Sequence, residues 1–487
     1  MLARPSRSSG LIFVFCLCAS LSAGAHAQQA ASLADSVREF VTVSAPVVAL
    51  THARLIDGTG AALRTDQTLI IANGKIRSIG DSATTPTPEG AQVLDLTGKT
   101  VIPGLVGMHD HMFYPSGGRV AVAIYNEQGF SFPRLYLASG VTTIRTTGSI
   151  EPYSDLELKK LIDSGKLAGP KIHVTGPYLE GPGSFTPQMH ELTGPDDARK
   201  LVDYWADEGA TSFKAYMHIT RAELSAAIEE AHKRGIKVTG HLCSIGSKEA
   251  AALGIDDLEH GLMVDTEFDP GKSPDACPSQ QLTAQTLAQI DVESAPVQET
   301  IRDLVAHHVA VTSTMPVFET DVPGRPPLEA RVLDALSLEA RISYLTIRAV
   351  IGQSPNSPWP SLLKKEMQFE HDFVKAGGLL LAGEDPTGYG GDLAGFGDQR
   401  EVELLVEAGF SPVEAIHIAT ENGAKFLGEG DTIGTLAAGK AADLVVIDGD
   451  PSAKIEDIEK TGLVFKDGVG YDSAKLIESI RGSVGLH

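Results

Sequence analysis

His109-Asp110-His111 is the first place in the chain where residue types and spacing could do chemistry. On an extended strand, residues two apart point to one face. Two imidazoles then project together, as two ligands to one metal ion must. The pair alone is a weak signal, because hydrogen-bonded structural histidines are common. Four further groups add to it. Lys214 stands in Thr211-Ser-Phe-Lys-Ala-Tyr216, and His241 ends Lys237-Val-Thr-Gly-His241. His260 lies in Leu258-Glu-His-Gly261, and Asp385 closes Leu379-Leu-Leu-Ala-Gly-Glu-Asp385. Each taken singly has a bland reading: a core histidine, a solvated lysine, a turn aspartate before Pro386. Together they end different strands at the same end, which chance does not explain.

The elements that must carry them can be read from the alternation of short apolar runs and amphipathic stretches. The strand candidates are Val101–His109, Val141–Thr147, Lys171–Leu179, Thr211–Met217, Lys237–Leu242, Asp257–His260, Val309–Met315 and Leu379–Asp385. The clearest helices between them are Asp155–Ser164, Asp196–Glu208, Arg221–Arg234, Val297–His307 and Leu362–Ala376. Thr220-Arg-Ala-Glu223 has capping-box spacing. Eight such units predict an α/β chain folded as a (β/α)8 TIM barrel, whose active sites sit where the strands end. A doubly wound open sheet is the alternative, but no phosphate-binding glycine loop follows the first strand. Ahead of the barrel, Val48–Ile56, Thr68–Ala72 and Lys75–Ile79 read as antiparallel strands, with a tight Asn73-Gly74 turn between the last two. Leu444–Ile447 is expected to return to them. The expected organisation is a small discontinuous β-sandwich domain from residues 28–100 and 428–487, with the barrel over 101–427.

The formal net charge of −23 argues against nucleic acid and against an anionic membrane surface. Arg4 and Arg7, the apolar run Leu11–Leu21 and the small residues of Ala25-His26-Ala27 form a secretory signal peptide over residues 1–27. A buried N-terminal helix is the rival reading. The expected location is secreted or periplasmic, with no stable membrane anchor. Cys16 and Cys18 leave with the leader. Cys243, just past His241, and Cys277, in the insertion after strand six, are expected to pair in an oxidising compartment.

Pro103-Gly-Leu-Val-Gly-Met-His-Asp-His111, Leu258-Glu-His-Gly261 and Gly434-Thr-Leu436 through Gly439-Lys-Ala-Ala-Asp-Leu444 resemble motifs of the amidohydrolase superfamily, as does Asn73-Gly-Lys-Ile76. The likeness runs over about residues 47–460 and is nearest to the imidazolonepropionase- and prolidase-like branch. It implies two divalent metal ions, zinc by the nature of the donors. His109 and His111 would hold the more buried ion together with Asp385. His241 and His260 would hold the other, and a carboxylated Lys214 would bridge the two. A metal-activated hydroxide would attack the carbonyl, and Asp385 would pass the proton to the leaving amine. One departure stands out: where the family usually has Gly-Thr-Asp, this chain has Gly383-Glu384-Asp385. The sequence gives Glu384 no role.

Six further residues near predicted strand ends or mouth loops could touch substrate: Tyr114, Arg145, Tyr178, His190, Tyr216 and His218. His232, His307, His308, His371 and His417 fall in helices or at their ends and read as structural. The expected activity is cleavage of an amide or peptide-type C–N bond in a small molecule, such as a dipeptide or an N-acyl amino acid. A lactone, ester or carbamate is the alternative on the same site, and an inactive barrel serving as a binding protein is the alternative of another class. Substrate, physiological metal and oligomeric state are left open, a homo-oligomer among the options.

Overall fold

The structure is a computed structural model that describes residues 33–116 and 124–486. The expected leader, its cleavage site, Cys16 and Cys18 lie outside these residues. Eight short strands follow in chain order: Leu105–Asp110, Val141–Thr146, Lys171–Val174, Ser212–Ala215, Lys237–Gly240, Asp257–Glu259, Ala310–Ser313 and Leu380–Ala382. Strands one to three pair in parallel, as do strands four to eight. Parallel bridges from Thr175 to Ser212 and from Leu179 to Ala215 join the two arcs. The Asp385 amide donates to the His109 carbonyl at 2.9 Å and brings strand eight back to strand one. The fold is the α/β barrel that the alternation predicts.

Most strand residues are buried, as expected where helices cover one face and the barrel interior the other. The seam between strands eight and one is tight. A Cβ at Gly383 would stand 2.4 Å from the His109 backbone nitrogen, so only glycine fits there.

The strands are shorter than the sequence suggests. His111, His241 and His260 each lie one residue past a strand end, and Asp385 lies three past. At the mouth the chains splay toward separate loops, so the ladder stops before the apolar pattern does. Helices Pro152–Asp163, Pro195–Glu208, Arg221–Lys233, Ala295–Ala306 and Trp359–Lys375 stand where the amphipathic stretches place them, and Thr220 and Glu223 form the capping box. A hairpin of Phe113–Ser116 with Ile124–Glu127 and helices Gln280–Gln289 and Leu338–Gly352 had no clear signal. In the last, Leu338, Ile342 and Val350 are exposed and Tyr344 alone is buried, so its apolar residues trace no core-facing stripe.

Strands from both chain ends form one nine-stranded sheet. Leu444–Ile447 lies antiparallel to Thr100–Pro103. Asn73 and Gly74 both take positive φ, 52° and 76°, as the tight hairpin requires. Alternate residues of the sheet serve two cores. Leu444 and Val446 join Val48, Leu50, Leu69, Ile71 and Phe465 in the sheet's own cluster. Val445 and Ile447 join the main core with the barrel helices. Cys243 and Cys277 are joined as a disulfide, with Cα atoms 4.9 Å apart. Among the described residues, no helix is long and apolar enough to cross a membrane.

Candidate metal centre

Six side chains from five strand ends meet at the barrel mouth. His109 and His111, whose ring centres are 5.3 Å apart, both face Asp385. His109 Nε2 is 3.6 Å from Asp385 Oδ2, and His111 Nε2 is 3.3 Å from Oδ1. Lys214 Nζ lies 3.0 Å from His109 Nε2. The His260 ring stands 4.6 Å from that of His109 and 4.5 Å from that of His241, so it joins the two halves of the cluster. Ligand atoms of His109, His260 and Asp385 fall within 4.8 Å of one another.

Hydrogen bonds fix which ring nitrogen His109 and His260 present. Glu259 Oε2 is 2.8 Å from His109 Nδ1, which leaves Nε2 for the centre. Thr314 Oγ1 is 2.6 Å from His260 Nδ1, and His260 Nε2 is buried with no hydrogen-bond partner. A buried imidazole nitrogen held without a partner is costly unless it coordinates something. Arg145 sits beneath, its Nη2 2.9 Å from Asp257 Oδ2 and 3.0 Å from Glu259 Oε1. His260 and Asp385 both adopt left-handed backbone, φ 72° and 58°, which turns their side chains out of the strand direction and into the mouth.

The electrostatics suit cation binding. Burial, reinforced by the Lys214 charge, holds His109 well below the ordinary imidazole range. Burial does the same to His260 and brings His241 down to about 3. Neutral imidazole is the metal-binding form. Burial lowers Lys214 to about 8. Burial works against charge on Asp385, yet His109 and His111 hold its carboxyl well below the usual carboxylate range. Neutral nitrogen donors and an ionised carboxylate, with a buried donor nitrogen still unpaired, fit a first-row divalent ion.

The amidohydrolase family profile matches residues 100–469, most of the chain. The chain belongs to the amidohydrolase family. That family is metal-dependent, in keeping with a candidate metal centre at the barrel mouth. An imidazolonepropionase of Caulobacter vibrioides is 22% identical over 410 residues, covering 73% of this chain and 94% of that protein. A D-hydantoinase of Geobacillus stearothermophilus is 28% identical over 253 residues, covering 48% and 49%. The chain thus spans about half the length of that relative, and 26% of a dihydroorotase from Pelobacter propionicus that is 31% identical over 24% of this chain. Among solved structures, a bottromycin amidohydrolase superposes with TM-score 0.66 at 21% identity, covering 94% of this chain and 95% of that one. A Xaa-Pro dipeptidase with bound methionine gives 0.64 at 21%, covering 88% and 100%. At such identity these structures speak for the fold.

In this amidohydrolase the centre opens into a cavity of about 550 Å³. Tyr178 and Tyr216 line it, beside His111, Lys214, His241, His260 and Asp385. The other four candidate contacts do not. The Tyr114 hydroxyl accepts from the Gly391 amide inside the core. Arg145 is buried under the candidate ligands and reaches His109 only through Glu259. His190 is exposed and pairs with Asp197 at 3.0 Å. His218 faces Glu180, its Nδ1 3.4 Å from Oε2. Glu384 turns away from the mouth. Its Oε2 accepts from the Asp398 amide, and its carboxyl clusters with those of Asp110 and Asp398 behind the strand. Burial, then the charge of Asp398, pushes it well above the ordinary carboxylate range. The sequence reading missed Glu259 and Thr314 as orienting groups, although Glu259 adjoins a ligand. It also missed the cavity walls contributed by Phe113, Tyr125, Phe185, Phe318 and Trp359.

Proposed function

We propose that this chain cleaves an amide or peptide-type C–N bond of a small molecule at a two-ion centre, zinc by donor type. His109, His111 and Asp385 would hold one ion and His241 and His260 the other, and a carboxylated Lys214 would serve both. The observation that carries this reading is the convergence of all six side chains, with His260 Nε2 buried and unpaired. When bound, such ions supply polarisation of the scissile carbonyl and a water of lowered pKa.

The chain's own groups do the rest. The neutral Lys214 amine adds to the carbon of carbon dioxide, a C–N bond forms and one proton leaves, giving a carbamate with two oxygen donors. The lowered basicity of Lys214 favours that step. Thr387 Oγ1 donates to Asp385 Oδ1 at 2.9 Å and fixes the carboxylate plane. Asp385 takes a proton from the attacking water at a carboxylate oxygen and delivers it to the leaving nitrogen. The dipeptidase and the amidohydrolase among the structural neighbours support a C–N bond. We place the mature N-terminus at Gln28 after export, the barrel at 101–427, and the sheet domain at 28–100 with 428–487.

The test is amine release from a library of dipeptides and N-acylated amino acid derivatives by the metal-loaded chain. Turnover that is lost on chelation and restored by zinc is expected. Full metal content with no C–N cleavage across the library would overturn the reading.

A further inference from the structure

Two aromatic walls, here called arms, line the cavity and start from different histidines of the candidate cluster. In the first arm Phe113 stacks on His111 at 4.4 Å between ring centres, and Tyr216 meets the His241 ring at 4.9 Å. Tyr125 and Phe185 extend this wall, at 5.1 Å from Phe113 and 5.9 Å from Tyr216. In the second arm Phe318 meets His260 edge-on at 5.5 Å, and Trp359 stacks beyond Phe318 at 6.0 Å. Both aromatic walls therefore start on a ligand imidazole and run outward from it.

Charge is scarce in both arms. Among the described residues that line the cavity, Lys214 is the single Lys or Arg, and it lies at the centre rather than in an arm. Asp321 is the single Asp or Glu besides Asp385. A carboxylate seated in either arm would lose its hydration and meet no Lys or Arg among the described lining residues other than Lys214, which is expensive. An aromatic ring there loses nothing polar and gains area burial and stacking.

We propose that the substrate is an uncharged amide with an apolar group on each side of the scissile bond, one of them an aromatic ring that lies along Phe318 and Trp359. This rests on the C–N hydrolase reading above and narrows it. Free dipeptides and N-acyl amino acids with an open carboxylate are poor substrates on this account, and their carboxamide or anilide derivatives are good ones.

The experiment uses the metal-loaded full chain and two matched contrasts in amine release: N-benzoyl against N-acetyl, and terminal carboxamide against terminal carboxylate. The expected result is a kcat/KM about tenfold or more higher for benzoyl and for carboxamide. Trp359→Ala should bring the benzoyl-to-acetyl ratio close to one while the carboxamide-to-carboxylate ratio holds. A carboxylate substrate that equals or beats its carboxamide, or a wild-type enzyme indifferent to the ring, overturns the proposal. Binding of benzanilide and of benzoate, followed by Trp359 fluorescence, separates the two readings. If benzanilide quenches at tenfold lower concentration than benzoate while no amide is cleaved, the activity falls and the arm assignment stands. Equal quenching by both removes the arm assignment whatever the turnover.

Discussion

Glu259 Oε2 lies 2.8 Å from His109 Nδ1, across the barrel interior from strand six to strand one. The next residue in the chain, His260, is itself a ligand candidate. One dipeptide thus presents one imidazole and orients another. Arg145 braces Glu259 from below, its Nη2 3.0 Å from Oε1. Glu259→Gln should weaken metal binding about 10- to 100-fold, the usual effect of losing an outer partner of a ligating histidine. Metal titration of the purified variant checks this, and wild-type affinity would show that Glu259 does not orient His109.

Asp385→Asn keeps the left-handed backbone, which asparagine tolerates, and one ligand oxygen, but it cannot hold a proton. Turnover should fall roughly a hundredfold or more while bound metal falls only in part. Glu384→Gln should stay within a few-fold of wild type, because that side chain faces Asp398 and not the cavity. Steady-state kinetics with metal analysis on both variants decides it. The reverse ranking would place Glu384 at the chemistry.

The proposed carboxylation would consume the neutral amine of Lys214, whose fraction grows as pH rises through about 8. Reactivation of metal-free enzyme by zinc and bicarbonate, at fixed dissolved carbon dioxide, should therefore quicken with pH up to about 8 and then level off. Lys214→Ala should lose activity and metal and regain part of both with a short carboxylic acid. Rates independent of carbon dioxide would exclude the carbamate.

Burial, and then the neighbouring Glu366, pushes Glu370 well above the ordinary carboxylate range. The sign follows directly. The unfolded chain ionises at this position above about pH 4.3, whereas the fold keeps the group neutral. Stability is therefore lost as pH rises from that value toward the folded pKa. Glu370→Gln removes this dependence, so its melting temperature should gain on wild type between about pH 5 and about pH 8. A thermal melt series measures it. An equal offset at both pH values would mean that Glu370 does not titrate differently on folding.

Much of this site was legible because strand ends in a barrel point the same way. His109, Lys214, His241, His260 and Asp385 each close or sit in a short apolar run, and the runs were readable one by one. Glu259 and Thr314 were harder, since their roles depend on partners 150 and 54 residues away in the chain. No spacing rule joins such pairs. Tyr114, His190 and His218 are near predicted strand ends, yet their side chains find Gly391, Asp197 and Glu180 instead of the cavity. Position along a loop does not fix direction. Phe318 lies in the five-residue helix Met315–Glu319, too short to show a period, and Trp359 stands at the first position of helix Trp359–Lys375, ahead of the amphipathic stretch that marks it.

Thr100–Pro103 and its partner Leu444–Ile447 bracket nearly the whole barrel in the chain. During synthesis the first of these strands must wait for the second while more than 300 intervening residues are made. Until then Val101 and its neighbours have an unfilled edge and an uncovered apolar face. Such distant pairing slows folding and favours self-association of the waiting chain. Completion of this sheet is thus timed by the later of its two strands, and the barrel between them is made while the sheet is still open.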